Sequence, residues 1–193
     1  MTFSSTAVLL FLVMDPLGNV PPFVSTLALV APERRRRVLV RELFIALAAL
    51  MGFLFFGRQV VRFLGLRDES IAIAGGIVLF LISLRMLFPG APRDAYELPG
   101  EPLVVPLAIP LVAGPSALAT LLLLAGQPGA QPLFLAGALL TAWSFSAAIL
   151  MASGALHRLL GERGLLALER LMGLLLVALA VQMLLDGLKG YLS

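Results

Sequence analysis

The sequence predicts an all-α integral membrane protein with six transmembrane helices, arranged as a 3+3 inverted repeat. Three observations support this fold class. Hydrophobic residues make up 60% of the 193 residues, only 13% are charged and the mean hydropathy is +1.03, which excludes an ordinary soluble domain. Six segments approach or exceed the length of about 20 apolar residues that a bilayer crossing needs. The two halves of the chain also open with similar proline-interrupted segments, so the first and fourth helices are expected to break near the membrane midplane.

The six predicted spans are joined by short connections, so we expect one transmembrane domain over residues 1–193. The spans cover residues 3–30, 38–57, 71–88, 103–125, 133–156 and 165–188. The first span lacks a basic n-region and continues past its interruption, so we expect it to be retained and not cleaved as a signal peptide. An even number of spans places both termini on one side of the membrane.

Arginine and lysine in the loops predict the orientation, because short loops rich in these residues stay in the cytoplasm. One group of loops carries ten of them and the other group carries four, which places both termini outside. The basic run at residues 34–37 fits this topology. A basic run can also bind nucleic acid or anionic lipid head groups, but the topology predicts membrane lipids and no nucleic acid as partners.

The first span is interrupted by an eight-residue segment that begins at Asp15, the only charged residue of this span. A carboxylate at bilayer depth costs about 2.5 to 3.5 kcal/mol on insertion scales, and non-helical backbone there is buried in protein or lines a cavity. Asp15 precedes Pro16 and suits a helix N-cap. Asn19, shortly before Pro21, suits the same role. Gly18 allows a ligand to approach the backbone, so we predict a half-helix whose N-terminus faces the interior.

The fourth span is interrupted in the same way at Gly114 and Pro115, with Ser116 able to supply a hydroxyl. Two half-helix N-termini that meet near the midplane attract an anionic group such as a carboxylate. Asp15 aligns with Ile109 in the second half, so we predict one acid in the site. One acid fits a zwitterionic ligand better than a divalent cation, and we predict no metal or other cofactor. The alternatives are a simple helix cap at Asp15 and simple kinks at the glycines and prolines.

The two halves resemble each other when the second is shifted back. Pro21 matches Pro115 at an offset of 94, and Gly76 matches Gly173 at an offset of 97. Three spans per half is an odd number, so the second half must cross the membrane upside down. The inverted repeats are predicted at about residues 1–90 and 100–193, joined by a short cytoplasmic loop. Transporters commonly have this architecture, with discontinuous helices near the midplane.

Two further polar residues lie inside predicted spans. Arg85 is near the cytoplasmic end of the third span, and Gln182 is its repeat mate. A gate contact is one role for the two, and snorkelling to the interface is the alternative for Arg85. The sequence contains no cysteine, no HExxH, no GxSxG and no phosphate loop, so we expect no enzyme.

These residues resemble a known family. The interrupting segment, with Phe23 after it, is similar to the first-helix motif of the MarC family of bacterial inner-membrane proteins. Similar blocks are found at residues 74–82, 106–116, 170–173 and 180–183, so the resemblance covers nearly the whole chain. The chain departs from the family in its short, proline-rich central loop and at Ser116, where a glycine is common. This serine is expected to alter the size of the pocket.

The resemblance implies a function. Some relatives, including those called SnatA, are described as proton-coupled transporters of small neutral amino acids such as glycine and alanine, within the LysE superfamily. A secondary transporter in the bacterial inner membrane is therefore expected, with Asp15 as the proton-coupling candidate. The alternatives are an exporter of inorganic ions or other small metabolites and a non-transporting membrane scaffold. A homodimer through glycine and alanine faces is a candidate assembly. The residues expected to form the substrate site are Asp15, Pro16, Gly18, Asn19, Pro21, Gly114, Pro115 and Ser116.

Overall fold

A computed structural model describes residues 2–28, 30–88 and 112–192. Within these ranges the chain forms seven α-helices and no strand, which confirms the all-α class. Four helices, α3, α4, α6 and α7, are long and apolar enough to cross a membrane, whereas α1 and α5 are shorter apolar helices. The helices are α1 (Phe3–Met14), α2 (Val20–Ala28), α3 (Pro32–Phe63), α4 (Asp68–Leu87), α5 (Pro115–Gly126), α6 (Pro132–Met151) and α7 (Ser153–Leu192).

Some predictions fall outside the described residues. The central loop lies there, and so does the fourth predicted span up to residue 111, including Ile109. The described part of that span is residues 112–125.

The first predicted span consists of two helices, as the sequence indicated. α1 ends at Met14, and Asp15 follows in the left-handed conformation with φ 43° and ψ 59°. The Asp15 N–H donates to the carbonyls of Phe11 and Leu12, both at 3.1 Å, and closes the last turn of α1. A left-handed residue stops an α-helix, since the following amides no longer reach the carbonyls four residues back. The chain becomes helical again at Val20.

The second predicted span is the apolar part of a longer helix, α3. α3 begins six residues before the predicted start, with Pro32 in its first turn, where the missing N–H costs nothing. It has 32 residues, so it is about 48 Å long, whereas the hydrocarbon core is about 30 Å thick. The arginine-rich first turns therefore extend beyond the apolar part of the helix.

α6 and α7 are separated by a turn at Ala152, which lies inside the fifth predicted span. α6 ends at Met151, so the predicted end of the fifth span at residue 156 is wrong by about one and a half turns. α7 follows directly and contains one non-helical residue, Gly161, with φ 62° and ψ 179°. This conformation is essentially restricted to glycine.

The most extensive helix pair of the described residues is α4 with α7. Gly76 on α4 lies against α7, where a Cβ atom would be 3.0 Å from the Ala180 carbonyl oxygen. Gly173 on α7 lies against α4, where a Cβ atom would be 3.2 Å from the Ser83 carbonyl oxygen. Gly76 therefore lies opposite Ala180, whereas Ser83, later in α4, lies opposite Gly173, earlier in α7. The two helices run antiparallel. The absence of side chains at the two glycines allows this close approach.

The other helices complete a bundle. α1 packs on α6, α3 packs on α5 and α6, α4 also packs on α5, and α2 packs on α7. One large apolar cluster joins α1, α2, α3, α5 and α6, and a smaller one joins α4 and α7. Leu12, in the last turn of α1, and Leu17, inside the first break, pack against the smaller cluster. Many large apolar side chains are exposed, including Phe44, Phe56 and Leu174. This surface is suited to contact with lipid.

Candidate functional site

The first break is a closed turn built on Asp15. Asp15 is only 7% exposed, and its Oδ1 accepts a hydrogen bond of 3.1 Å from the Gly18 N–H. The Asn19 N–H donates to the Asp15 carbonyl at 3.1 Å. The Asn19 side chain donates through Nδ2 to the Met14 carbonyl at 3.0 Å. Asp15 is therefore the C-cap of α1, and the prediction that it N-caps a half-helix is wrong.

The N-terminus of α2 does not present the amide hydrogens that the sequence predicted. The Val20 N–H donates to the Leu17 carbonyl at 3.2 Å, and the Phe23 N–H donates to the Asn19 carbonyl at 3.0 Å. The two positions between Val20 and Phe23 are prolines, which have no N–H. The polar group that this break brings to the interior is therefore the Asp15 carboxyl group.

Gly18 is packed too closely for any side chain. A Cβ atom at this position would collide with the Asp15 carboxyl group and with the terminal methyl group of Met86, from α4. Met86 also contacts α7, because a Cβ atom on Gly173 would lie 3.1 Å from its Cβ. The glycine was expected to let a ligand approach the backbone, but in this structure Asp15 and Met86 occupy that space. The break is closed by residues of α4 and α7.

A second buried acid accompanies Asp15. Glu169, on α7, is 7% exposed, and its charge reaches Asp15. The prediction of a single acid in the site did not take this residue into account. Two carboxylates in surroundings of low dielectric constant repel each other, and a proton or a cation between them removes this repulsion. Sequence reasoning missed Glu169 although it lies inside the sixth predicted span, because the pattern does not fix which face of α7 turns inward.

The second interruption is the start of α5. Gly114 precedes the helix with φ −75° and ψ 162°, and no side chain caps its first turn within the described residues. Ser116 is 4% exposed, and Gly114 is also buried, whereas Pro115 is exposed. The Thr120 hydroxyl donates to the Ser116 carbonyl at 2.8 Å. This helix start is suited to an anion, since its first-turn N–H groups carry a partial positive charge.

The two interruptions lie at the ends of helices that contact each other. Val13 and Met14, before the first break, belong to the same buried cluster as Val112 and Ala113, before the start of α5. α1 also packs on α5. The carboxyl group of one interrupted span and the positive helix end of the other therefore lie in neighbouring elements.

Two cavities lie away from the breaks. The first is about 270 Å³ and lies between α1, α5 and α6, at the N-terminal end of α1. The second is about 330 Å³ and lies at the start of α3. The first is lined by Thr6, Leu124, residues 127–131, Phe134 and Leu135, and the second by Arg34, Arg37, Val38 and Arg41.

The predicted gate residues do not meet at the break. Arg85 and Gln182 are both exposed, on α4 and α7 respectively. The Gln182 side chain donates through Nε2 to Asp186 Oδ1 at 2.9 Å, along its own helix. The structure therefore does not support the gate contact. Among the described residues, no group of three or more His, Cys, Asp or Glu side chains is placed to hold a metal ion.

The chain is similar to known proteins over almost its full length. The family described as MarC family integral membrane protein matches residues 1–192. The UPF0056 inner membrane protein YhgN of Escherichia coli is 54% identical over 191 residues, which cover 98% of this chain and 97% of the relative. A UPF0056 membrane protein of Buchnera aphidicola subsp. Baizongia pistaciae is 49% identical over 97% of this chain and 96% of the relative. A UPF0056 membrane protein of Pyrococcus abyssi is 34% identical over 98% of this chain and 95% of the relative. No solved structure matches the chain.

Proposed function

Because the chain belongs to the MarC family of integral membrane proteins, we propose that it is a proton-coupled secondary transporter of small neutral amino acids in the bacterial inner membrane, and not an enzyme. The observation that carries this proposal is the buried carboxyl group of Asp15 at the end of α1, a helix that packs on α5, whose start is not capped by any side chain of the described residues. Buried acids in membrane spans usually mark ion or substrate pathways.

The two interruptions have opposite electrostatic character, which suits a zwitterion. The ammonium group of the amino acid binds Asp15. Its carboxylate binds the first turn of α5, through the N–H groups of Ser116 and Ala117 and the Ser116 hydroxyl. Asp15 and Met86 fill the space beside Gly18 in this structure, so the break must open before an amino acid binds, and glycine or alanine requires the smallest opening.

Alternating access requires two parts that rock about the site, and the inverted repeat would supply them. The close contacts of α4 and α7 support this repeat, because Gly76 and Gly173 differ by 97 positions, and so do their partners Ser83 and Ala180. α2 packs on α7 as α5 packs on α4, which is the pairing that the repeat requires. We propose that these two reciprocal pairs separate and close in turn.

The cavity between α1, α5 and α6 is the proposed access route from the side of the termini. Its lining residue Thr6 lies nine positions before Asp15, which corresponds to about 14 Å along a helix. In the structure described here, the route ends above the closed break. Opening it requires a displacement of α1 relative to α5 and α6.

Flux measurements on purified protein in liposomes test the proposal. Glycine or alanine should accumulate when a pH gradient is imposed. Asp15→Asn should abolish the gradient-driven accumulation while the protein keeps its thermal stability, because the amide still accepts a hydrogen bond but cannot bind a proton or balance an ammonium group. Asp186→Asn removes an exposed carboxylate from α7 and is the matched control. Absence of glycine and alanine flux in the wild-type protein, with or without the gradient, would refute this function for those substrates.

Export of an inorganic cation is the second candidate, and the presence of a second buried acid, Glu169, whose charge reaches Asp15, favours it. Two carboxylates bind a cation better than one does. If this candidate is correct, a cation should raise the melting temperature of the wild-type protein when glycine and alanine do not. That shift should disappear in both Asp15→Asn and Glu169→Gln.

A further inference from the structure

The cavity at the start of α3 has a basic lining. Its walls are Arg34, Arg37, Val38 and Arg41, and its volume is about 330 Å³. The arginines are spaced by three and four positions, so they lie on one face of the helix. Guanidinium groups bind phosphate oxygens in pairs and are weakly hydrated, which makes them suited to a phosphate group.

The arginines of the run 34–37 have different roles. Arg35 donates through Nε to the Val30 carbonyl at 2.9 Å and through Nη2 to the Ala28 carbonyl at 3.2 Å. It therefore binds the C-terminal end of α2 to the start of α3. Arg36 is exposed and does not line the cavity. A purely topological role would not require this division among adjacent arginines.

A buried acid positions one wall of the cavity. Glu42 is 0% exposed, and its Oε1 lies 3.0 Å from Arg41 Nε and 2.9 Å from Arg41 Nη2. This ion pair holds the Arg41 guanidinium beside the cavity. The three lining arginines and Glu42 together carry three positive charges and one negative charge, a net charge of +2.

The same face of α3 continues below the cavity as exposed apolar surface. Phe44, three residues beyond Arg41, is 58% exposed, and Ala48 and Phe55 are exposed further along the face. A basic cavity above a lipid-facing apolar stripe matches the two parts of a phospholipid. We propose that Arg34, Arg37 and Arg41 bind the phosphate of an anionic phospholipid head group, with an acyl chain lying along Phe44.

The single tryptophan of the chain provides a reporter for this site. The Trp143 ring centroid is 5.4 Å from that of Phe44, and its Nε1 donates to the Leu43 carbonyl at 2.9 Å. Phosphatidylglycerol brominated on its acyl chains should therefore quench Trp143 fluorescence when it occupies the stripe. Titration against unbrominated phosphatidylcholine in vesicles gives the relative affinity of the site for the two lipids.

The wild-type protein should prefer phosphatidylglycerol over phosphatidylcholine. Arg37→Gln should lower this preference about tenfold, because it removes a hydrogen bond between charged groups at the phosphate. Arg36→Gln removes the same charge from the neighbouring position and should leave the preference unchanged. Arg37→Lys keeps the charge but not the paired hydrogen bonds, so its preference should lie between those of the wild type and Arg37→Gln. An unchanged melting temperature of Arg37→Gln in detergent shows that its loss of preference is not a loss of folding.

Three results would overturn the proposal. Equal quenching by the brominated forms of both lipids would show that the stripe does not select anionic head groups. Equal losses in Arg36→Gln and Arg37→Gln would reduce the effect to general surface charge. Displacement of brominated phosphatidylglycerol by inorganic phosphate in solution would assign the cavity to a free phosphate ion.

Discussion

At the residue scale, Asp15 combines a structural and a proposed chemical role. Its backbone ends α1 in the left-handed conformation, and its Oδ1 accepts the Gly18 N–H inside the following turn. The hydrogen bond within the turn uses only one of the two carboxyl oxygens. The other oxygen lies on the side where Gly18 lacks a Cβ atom. The capping role of Asp15 and its proposed role in substrate binding can therefore be separated by mutation.

Replacement of Asp15 by alanine should destabilise the protein by about 1 to 3 kcal/mol, because the buried Gly18 N–H loses its acceptor. Asp15→Asn keeps an oxygen at this position and should cost less than about 1 kcal/mol. Thermal unfolding in detergent micelles measures both variants. Similar stabilities for the alanine and asparagine variants would show that the hydrogen bond to Gly18 does not hold the break together.

Gly18→Ala tests the packing of the same turn. The new methyl group would collide with the Asp15 carboxyl group and the Met86 side chain, so the variant should lose about 1 to 3 kcal/mol of stability. Gly52→Ala is the matched control, because nothing lies within 4 Å of its Cβ position inside α3. That control should be neutral or stabilised by up to about 1 kcal/mol. Met86→Ala should partly rescue Gly18→Ala; without rescue, Met86 is not the neighbour that limits the space.

At the element scale, the sequence predicted the positions at which helices break more accurately than the polar groups that lie at those breaks. The Asp-Pro pair and the later prolines located the first interruption correctly, because these residues disrupt helical hydrogen bonding locally. The same prolines remove amide hydrogens from the start of α2, which a charge pattern alone does not reveal. Glu169 was missed because the rotation of α7 about its axis depends on its packing against α2 and α4. Hydropathy also failed to mark the polar first turns of α3.

Gly161 separates backbone strain from side-chain crowding in α7. It has φ 62° and ψ 179°, and nothing lies within 4 Å of its Cβ position. Gly161→Ala should therefore cost about 1 to 3 kcal/mol from backbone conformation alone. Gly154→Ala, also with open space around its Cβ, has no positive φ and should not destabilise the protein. Equal melting temperatures for the two variants would mean that the chain near Gly161 relaxes into ordinary helix.

At the scale of the whole molecule, the antiparallel pairing of α4 and α7 is the clearest relation between the two halves. The shared offset of 97 in the glycines and in their carbonyl partners was visible in the sequence only for the glycines. The partners could not be predicted, because two helices can cross at many heights and angles. The glycine of each helix faces a carbonyl oxygen of the other, and both equivalent pairs of residues differ by the same 97 positions. A two-fold axis between the proposed repeats would produce this pattern.

The orientation of the bundle in the membrane can be tested with single introduced cysteines, because the sequence contains no cysteine that would react in the background. Single cysteines introduced at Ser4 and Leu192, both exposed near the termini, should react with a membrane-impermeant maleimide in intact cells. Arg36→Cys and Gly154→Cys, exposed at the opposite end, should react only after permeabilisation. The reason is the ten-to-four excess of basic residues in the loops that include position 36.

The reverse labelling pattern would place the arginine cavity at the outer surface. The termini and position 36 reacting from the same side would contradict the proposed inverted arrangement of the two halves.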